Sequence, residues 1–240
     1  MGTLELRNEL IAIVGAGSVT FAPDHNPDDL HDESLHPSHV EPFAVVRPSN
    51  TQQVSAIAML ASAHGVAITP RGSGTGLSGA ATPVADGIVV SFSDMNKLVR
   101  LDVHDHVAVV QPGMTLRELN ELLADSGLRY PVYPGELSGS LGGNVNTNAG
   151  GMRAVRHGVT RNHVLGLELV LIDGTILRTG GPVMKSSSGY DLTQLVVGSE
   201  GTLAMVCEVT EAANPTGGII AKSCAAVEPL APRMPAFWKT

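Results

Sequence analysis

Pro70-Arg71-Gly72-Ser73-Gly74-Thr75-Gly76-Leu77-Ser78-Gly79 is a stretch of backbone with almost no side-chain cover. Glycine tolerates φ > 0 and close approach, and successive bare N–H groups in such a loop form a nest for phosphate oxygens. The loop follows the apolar run Val66-Ala67-Ile68-Thr69 and leads to Ile88-Val89-Val90-Ser91-Phe92. It therefore joins two strands and presents its amides at a strand end. A tight, flexible surface turn would have the same composition, so the rest of the chain has to decide between them.

Working outward, Phe43-Ala44-Val45-Val46 has the character of a short strand. Ser49 and Gln52 then form a capping-box pair ahead of Val54, Ile57, Ala58 and Ala61 at helical spacing, and Gly65 ends that helix. On the other side, a strand at Val107 to Gln111 precedes a cap at Thr115 with Glu118 three residues on. The helix that follows carries Leu116, Leu119, Leu122 and Leu123 as far as Gly127. Val164 to Ile172 alternates as a strand, Asp173-Gly174 is a hairpin signal, and Thr175 to Arg178 returns. These elements predict an α+β fold of two lobes with the glycine-rich segments between them.

Two more such segments exist. Residues 134–151, Pro-Gly-Glu-Leu-Ser-Gly-Ser-Leu-Gly-Gly-Asn-Val-Asn-Thr-Asn-Ala-Gly-Gly, are small and amide residues that suit a long loop against a flat, hydrogen-bonding ligand, with Asn144, Asn146 and Asn148 as amide donors and acceptors. Gly198-Ser-Glu-Gly-Thr-Leu203 precedes the strand-like Ala204 to Val209. Three glycine-rich elements, each beside a strand end, suit a large dinucleotide held from several places.

Composition narrows the function. The 240 residues can bury a full core, and 43% of them are hydrophobic. A net charge of −8, no basic stripe and an aromatic content of 3% argue against nucleic acid as a partner. Cys207 and Cys224 cannot build a disulfide framework, which makes a reduced, cytoplasmic location the expectation. No run approaches the ~18 apolar residues of a transmembrane span, and Met1 to Asn8 lacks the apolar core of a signal peptide.

Other features have bland readings. Leu6, Leu10 and Val14 share a helical face and Gly15 stops that helix. Gly15-Ala16-Gly17 fails as a dinucleotide fingerprint, because Thr20 stands where its third glycine belongs and a helix, not a strand, precedes it. His25, His31, His36 and His39 lie among acidic residues at irregular, proline-broken spacing, which reads as a solvated connecting segment and assigns no metal. Lys185 and Tyr190 are open to proposal as catalysts, but the structural reading has Asp191 capping the next element with Tyr190 packed beneath it. Cys207 falls in a strand and reads as a small hydrophobe.

The motifs Pro-Arg-Gly-Ser-Gly-Thr-Gly, Gly-Gly-Asn-Val-x-Thr-Asn-Ala-Gly-Gly, Gly-Tyr-Asp-Leu-Thr-x-Leu and Gly-Ser-Glu-Gly-Thr-Leu together resemble the flavin-binding domain of the vanillyl-alcohol oxidase and p-cresol methylhydroxylase superfamily. The nearest branch holds the glycolate oxidase FAD-linked subunit and D-lactate dehydrogenase. The resemblance implies a two-subdomain α+β fold of the p-cresol methylhydroxylase type with FAD between its subdomains. It implies that Pro70, Arg71, Gly72, Ser73, Gly74, Thr75, Gly76 and Leu77 hold the pyrophosphate. Pro134, Gly135, Glu136, Ser140, Leu141, Gly142 and Gly143 would contact pyrophosphate and ribityl. Asn148, Ala149, Gly150 and Gly151 would lie near the isoalloxazine, and Glu200, Gly201 and the backbone of Val206 near the adenosine or diphosphate. Members that attach FAD covalently through the first loop have a histidine where this chain has Thr75, so the resemblance implies noncovalent FAD.

The expected organisation is an N-terminal helix and connecting segment over 1–41, the FAD-binding domain over 42–213, and a tail over 214–240 that departs from the family pattern. The relatives continue into a second domain carrying the substrate pocket, metal-binding histidines and catalytic base. This chain is expected to lack that C-terminal substrate domain, leaving catalytic residues unknown and no metal assigned. A truncated reading frame and a flavin domain completed by a partner subunit both account for the tail. The function implied is an FAD-binding oxidoreductase domain related to dehydrogenases of small 2-hydroxy acids, glycolate or D-lactate, with a binding module lacking turnover as the alternative. An interdomain surface left bare would also favour association.

Overall fold

A computed structural model describes residues 3–35 and 40–216. His36, His39 and most of the expected tail, residues 217–240, lie outside the described residues. In chain order the elements are α1 (Thr3–Val14), β1 (Val19–Phe21), β2 (Ala44–Val46), α2 (Thr51–His64), β3 (Ile68–Arg71), β4 (Ile88–Ser91), β5 (Leu98–Asp102), β6 (Val107–Val110), α3 (Leu116–Ala124), β7 (Leu128–Arg129), α4 (Leu141–Thr147), α5 (Ala154–His157), β8 (Val164–Val170), β9 (Ile176–Gly180), α6 (Leu192–Val196), β10 (Met205–Ala212) and β11 (Asn214–Pro215).

Two sheets carry the fold. The first runs β1-β2-β4-β3, with β2 and β3 parallel to β4 and β1 antiparallel at the edge. The second is antiparallel, ordered β5-β6-β10-β8-β9. Strands β2 and β4 are buried at every position, as expected of parallel strands covered on both faces. Their core takes Leu6 and Leu10 from α1 and Val54, Ile57, Ala58 and Ala61 from α2, and it reaches Val170, Met205 and Cys207 of the second sheet. A second core packs α3 and α4, through Leu116, Leu119, Leu123, Leu141 and Val145, onto Val164, Leu167, Leu169, Val206 and Val209.

The local signals explain most of these boundaries. Gly65 ends α2 in the left-handed conformation at φ 66°, where a glycine pays no steric penalty. Thr115 and Glu118 form a complete capping box at α3. The Asp173-Gly174 turn returns β8 into β9. Asp191 caps α6 by accepting from Gln194 N.

Four readings need correction. The cap of α2 is Asn50 and not Ser49: the helix starts at Thr51, so Asn50 accepts from Gln53 N while Gln53 Oε1 accepts from Ser49 N. Leu122 leaves the core face of α3 and is exposed. Tyr190 is 97% exposed and packs beneath nothing. The supposedly solvated segment is largely anchored, with His25, Asp29 and Asp32 buried, because Asp29 pairs with Arg47 and lies 3.9 Å from Arg71.

Candidate functional site

The three glycine-rich segments converge on one cleft of about 370 Å³, within the usual range of ligand pockets. The first segment follows β3. Its fold depends on Arg71, which is 6% exposed, donates to the carbonyls of His31 (2.6 Å) and Asp28, and so is held beneath the loop by the segment before β2. Burial pulls the guanidinium pKa down, and Asp29, Asp32 and Asp28 oppose that. Gly74 lies over this guanidinium at φ +74°, where an added Cβ would fall 2.2 Å from Nη2. Arg71 lines the cleft, but the hydrogen bonds of its side chain go to the protein.

The second segment is not one long loop. It contains α4, in which Leu141, Gly142, Asn144 and Val145 are buried. Ser140 caps this helix by accepting from Gly143 N, and it exchanges hydrogen bonds with Ser73: Ser140 N donates to Ser73 Oγ at 2.9 Å and Ser73 N to Ser140 Oγ at 3.3 Å. A Cβ at Gly72 would meet Ser140 Oγ at 2.0 Å. The third segment closes the ring. Gly198 N donates to Val145 O, Glu200 N to Asn146 O, and Ser78 Oγ to Glu200 Oε2 at 3.4 Å.

The cleft wall includes Pro70 to Leu77, Pro134, Gly135, Glu136, Ser140, Gly142, Gly143, Ala149, Glu200, Gly201 and Val206. Four residues named from the resemblance are not part of that wall. Leu141 is fully buried in the second core. Asn148 ends α4 in the left-handed conformation and accepts from Arg161 N. Gly150 packs on Val159, and Gly151 on the backbone of Tyr133 and Pro134, where a Cβ would come 1.9 Å from Tyr133 O. The reading of residues from the sequence missed Asp32, Glu33, Phe92 and Pro112, which line the cleft from other elements. Only the Asp32 neighbourhood gave any signal, as an acidic stretch whose partners are distant in sequence.

The electrostatics are unusual for a phosphate site. Among the described residues, the wall holds the carboxylates of Asp32, Glu33, Glu136 and Glu200 against the single cation Arg71. Burial works against ionisation of Asp32, but Ser34 and the amides of Ala81 and Gly79 outweigh it and hold the carboxyl below its usual range. Hydrogen bonds from Ser138 do the same for Glu136. An anion bound here must therefore be held by backbone dipoles. The amides of Gly74, Thr75, Gly76, Leu77 and Ser78 have no protein acceptor among the described residues and are available for that. Asn144 Nδ2 and Asn146 Oδ1, on residues of the same wall, are buried without partners among the described residues.

Comparison with known proteins agrees with this geometry. The FAD binding domain family matches residues 42–180. The chain is 51% identical over 211 residues to an uncharacterized FAD-linked oxidoreductase of Mycobacterium tuberculosis, covering 88% of this chain and 46% of that protein. It is 40% identical to the glycolate oxidase subunit GlcD of Bacillus subtilis (87% of this chain, 44% of the relative). It is 46% identical to a D-lactate dehydrogenase of Archaeoglobus fulgidus (72% and 39%). The structure of an alkyldihydroxyacetonephosphate synthase shares the fold at a TM-score of 0.79 and 21% identity, over 90% of this chain and 41% of that one. The chain thus spans about half the length of the curated relatives it matches.

FAD fits the residues present: a row of loop amides without a protein acceptor among the described residues, for an anionic bridge, and the orphaned side-chain amides of Asn144 and Asn146 beside them. The chain belongs to the FAD-binding-domain family and is related to a glycolate oxidase subunit and to D-lactate and D-2-hydroxyglutarate dehydrogenases.

Proposed function

We propose that this chain is the flavin-binding part of a dehydrogenase for a small 2-hydroxy acid such as glycolate or D-lactate, with electrons leaving to a carrier and not to NAD. The observation that carries the reading is the convergence of the three glycine-rich segments on one cleft, in a chain whose relatives include a glycolate oxidase subunit and D-lactate dehydrogenases. Bound FAD would supply a two-electron acceptor for the hydride of the substrate α-carbon. The chain's own part is to bind and orient. The amides of Gly74 to Ser78 would hold the pyrophosphate, with Ser140 and Gly143 beside them, and Glu200, Gly201 and Val206 would border the adenosine end.

Removal of the hydroxyl proton needs a base placed over the reacting carbon. No histidine lines the cleft among the described residues, and Glu136 is ionised but exposed on its rim. This favours a second reading, in which the chain binds FAD without turnover of its own and a further domain or partner subunit brings the base and the substrate ligands. Mixing the purified holo-protein with glycolate or D-lactate and an artificial electron acceptor separates the two. Sustained reduction of the acceptor supports the dehydrogenase acting alone, whereas bound flavin that neither acid bleaches under anaerobic conditions supports the binding module.

A further inference from the structure

Away from the cleft, helix α2 is joined to the second sheet by a polar contact that cofactor binding does not explain. Thr51, the first residue of α2, donates its hydroxyl to Glu168 Oε1 on β8. The other oxygen of Glu168 pairs with Arg178 Nη2 on β9, and Arg178 Nη1 lies 3.6 Å from Glu208 Oε1 on β10. One turn along α2, Ser55 Oγ donates to Gly174 O at 2.6 Å. The Glu168 side chain is 10% exposed, so a buried carboxylate spans the boundary with both oxygens occupied.

Such a contact is a poor source of net stability, because desolvating the charge offsets much of what pairing returns. Its geometry is well suited to fixing a register. Glu168 stands opposite Glu208 in the β8–β10 ladder, where like charges repel unless Arg178 lies between them. The same ladder slips between Val206 and Glu208, leaving Cys207 as the extra residue facing the first core, and Val206 lines the cleft. The rest of that wall, the loop after β3, belongs to the first sheet, whose core α2 builds with Val54, Ile57, Ala58 and Ala61. The Thr51–Glu168 bond therefore ties the start of α2, and with it the first sheet, to the second sheet, which carries Val206.

We propose that Glu168 is a positioning residue that sets the separation of the two sheets at the cleft by holding α2 through Thr51, and that retention of FAD depends on this clamp. The inference rests on the FAD cleft described above and not on which acid, if any, the protein oxidises. The test is the rate of FAD release from the holo-protein on dilution, read as the return of free-flavin fluorescence, alongside the melting temperature. Thr51→Val and Glu168→Gln should release FAD about tenfold faster, a coupling of ordinary size. Thr51→Ser, which keeps the hydroxyl, should release it at the wild-type rate, and the Thr51→Val/Glu168→Gln double variant no faster than either single one. Arg178→Gln, at an exposed guanidinium, gives a folded variant in which release should also quicken. Leu123→Ala, which opens a cavity in the second core, should lower the melting temperature without changing release. Wild-type release in Thr51→Val, Glu168→Gln and Arg178→Gln would overturn the proposal. So would release that follows the melting temperature in every variant, Leu123→Ala included.

Discussion

Glu211 is a carboxyl in a core otherwise lined by Val209, Val164 and Ala108, with both oxygens unpartnered among the described residues. Burial pushes its pKa up to about 8 from an ordinary 4.5. Burial raises the pKa of Tyr130, and burial lowers that of His163, whose ring stands edge-on to Tyr130 at 5.8 Å. A carboxyl with its folded pKa raised lends stability that is complete below the unfolded pKa and is lost as pH rises toward the folded one. Glu211 should therefore lower the melting temperature as pH rises from 5 to 8, against an opposite contribution from His163, and Glu211→Gln should remove that loss; an unchanged slope in the variant would contradict the assignment. Gly74 makes a second residue-scale case. Gly74→Ala would place a Cβ at φ +74° over Arg71, at about 1–2 kcal/mol for the backbone alone. Flavin titration should show FAD affinity reduced at least about tenfold with far-UV circular dichroism unchanged.

At the scale of elements, α4 shows what a sequence can and cannot announce. Leu141-Gly-Gly-Asn-Val-Asn-Thr147 holds two glycines and two asparagines, poor helix formers, and reads as loop. It is helical because Ser140 caps it, Gly142 lets it press on Pro112, and Asn148 can close it in the left-handed conformation. Ser140→Ala should cost about 1 kcal/mol of stability as a lost cap. Because the same hydroxyl accepts from Ser73, it should also weaken FAD binding, and a melting curve with a flavin titration reads both. The starts of α2 and α3, which carry strong local signals, were legible to within a residue, although the α2 cap moved from Ser49 to Asn50 because either residue can fill that role, and α3 ends at Ala124, short of the expected Gly127. The segment before β2 was misread because what orders it, Arg47 and Arg71, lies far along the chain and leaves no local periodicity. The site was legible as three segments, but the wall residues Phe92 and Pro112 carry no motif and enter through packing alone.

At the scale of the molecule, a net charge of −8 and a cleft with four carboxylates and one internally committed arginine set this site apart from those that grip phosphate with lysine and arginine. Screening by salt weakens attraction and repulsion alike. FAD affinity should therefore hold or rise between low and high sodium chloride; a steep fall would mean that side-chain cations, not loop amides, bind the pyrophosphate. Exposed Met152, Met184, Tyr190 and Leu195 add apolar surface that a partner or further domain would cover. Size exclusion across a dilution series should show concentration-dependent association, and a monomer throughout would show that this surface needs no cover. No described helix is long and apolar enough to cross a membrane. The folded cleft is expected to hold FAD without a covalent bond, as Thr75 in place of a histidine implies. The visible absorbance spectrum of the purified chain before and after acid precipitation tests this. Flavin bands that accompany the protein and then pass to the supernatant are the predicted result; a colourless protein that takes up no added FAD, or colour that stays in the pellet, would contradict it.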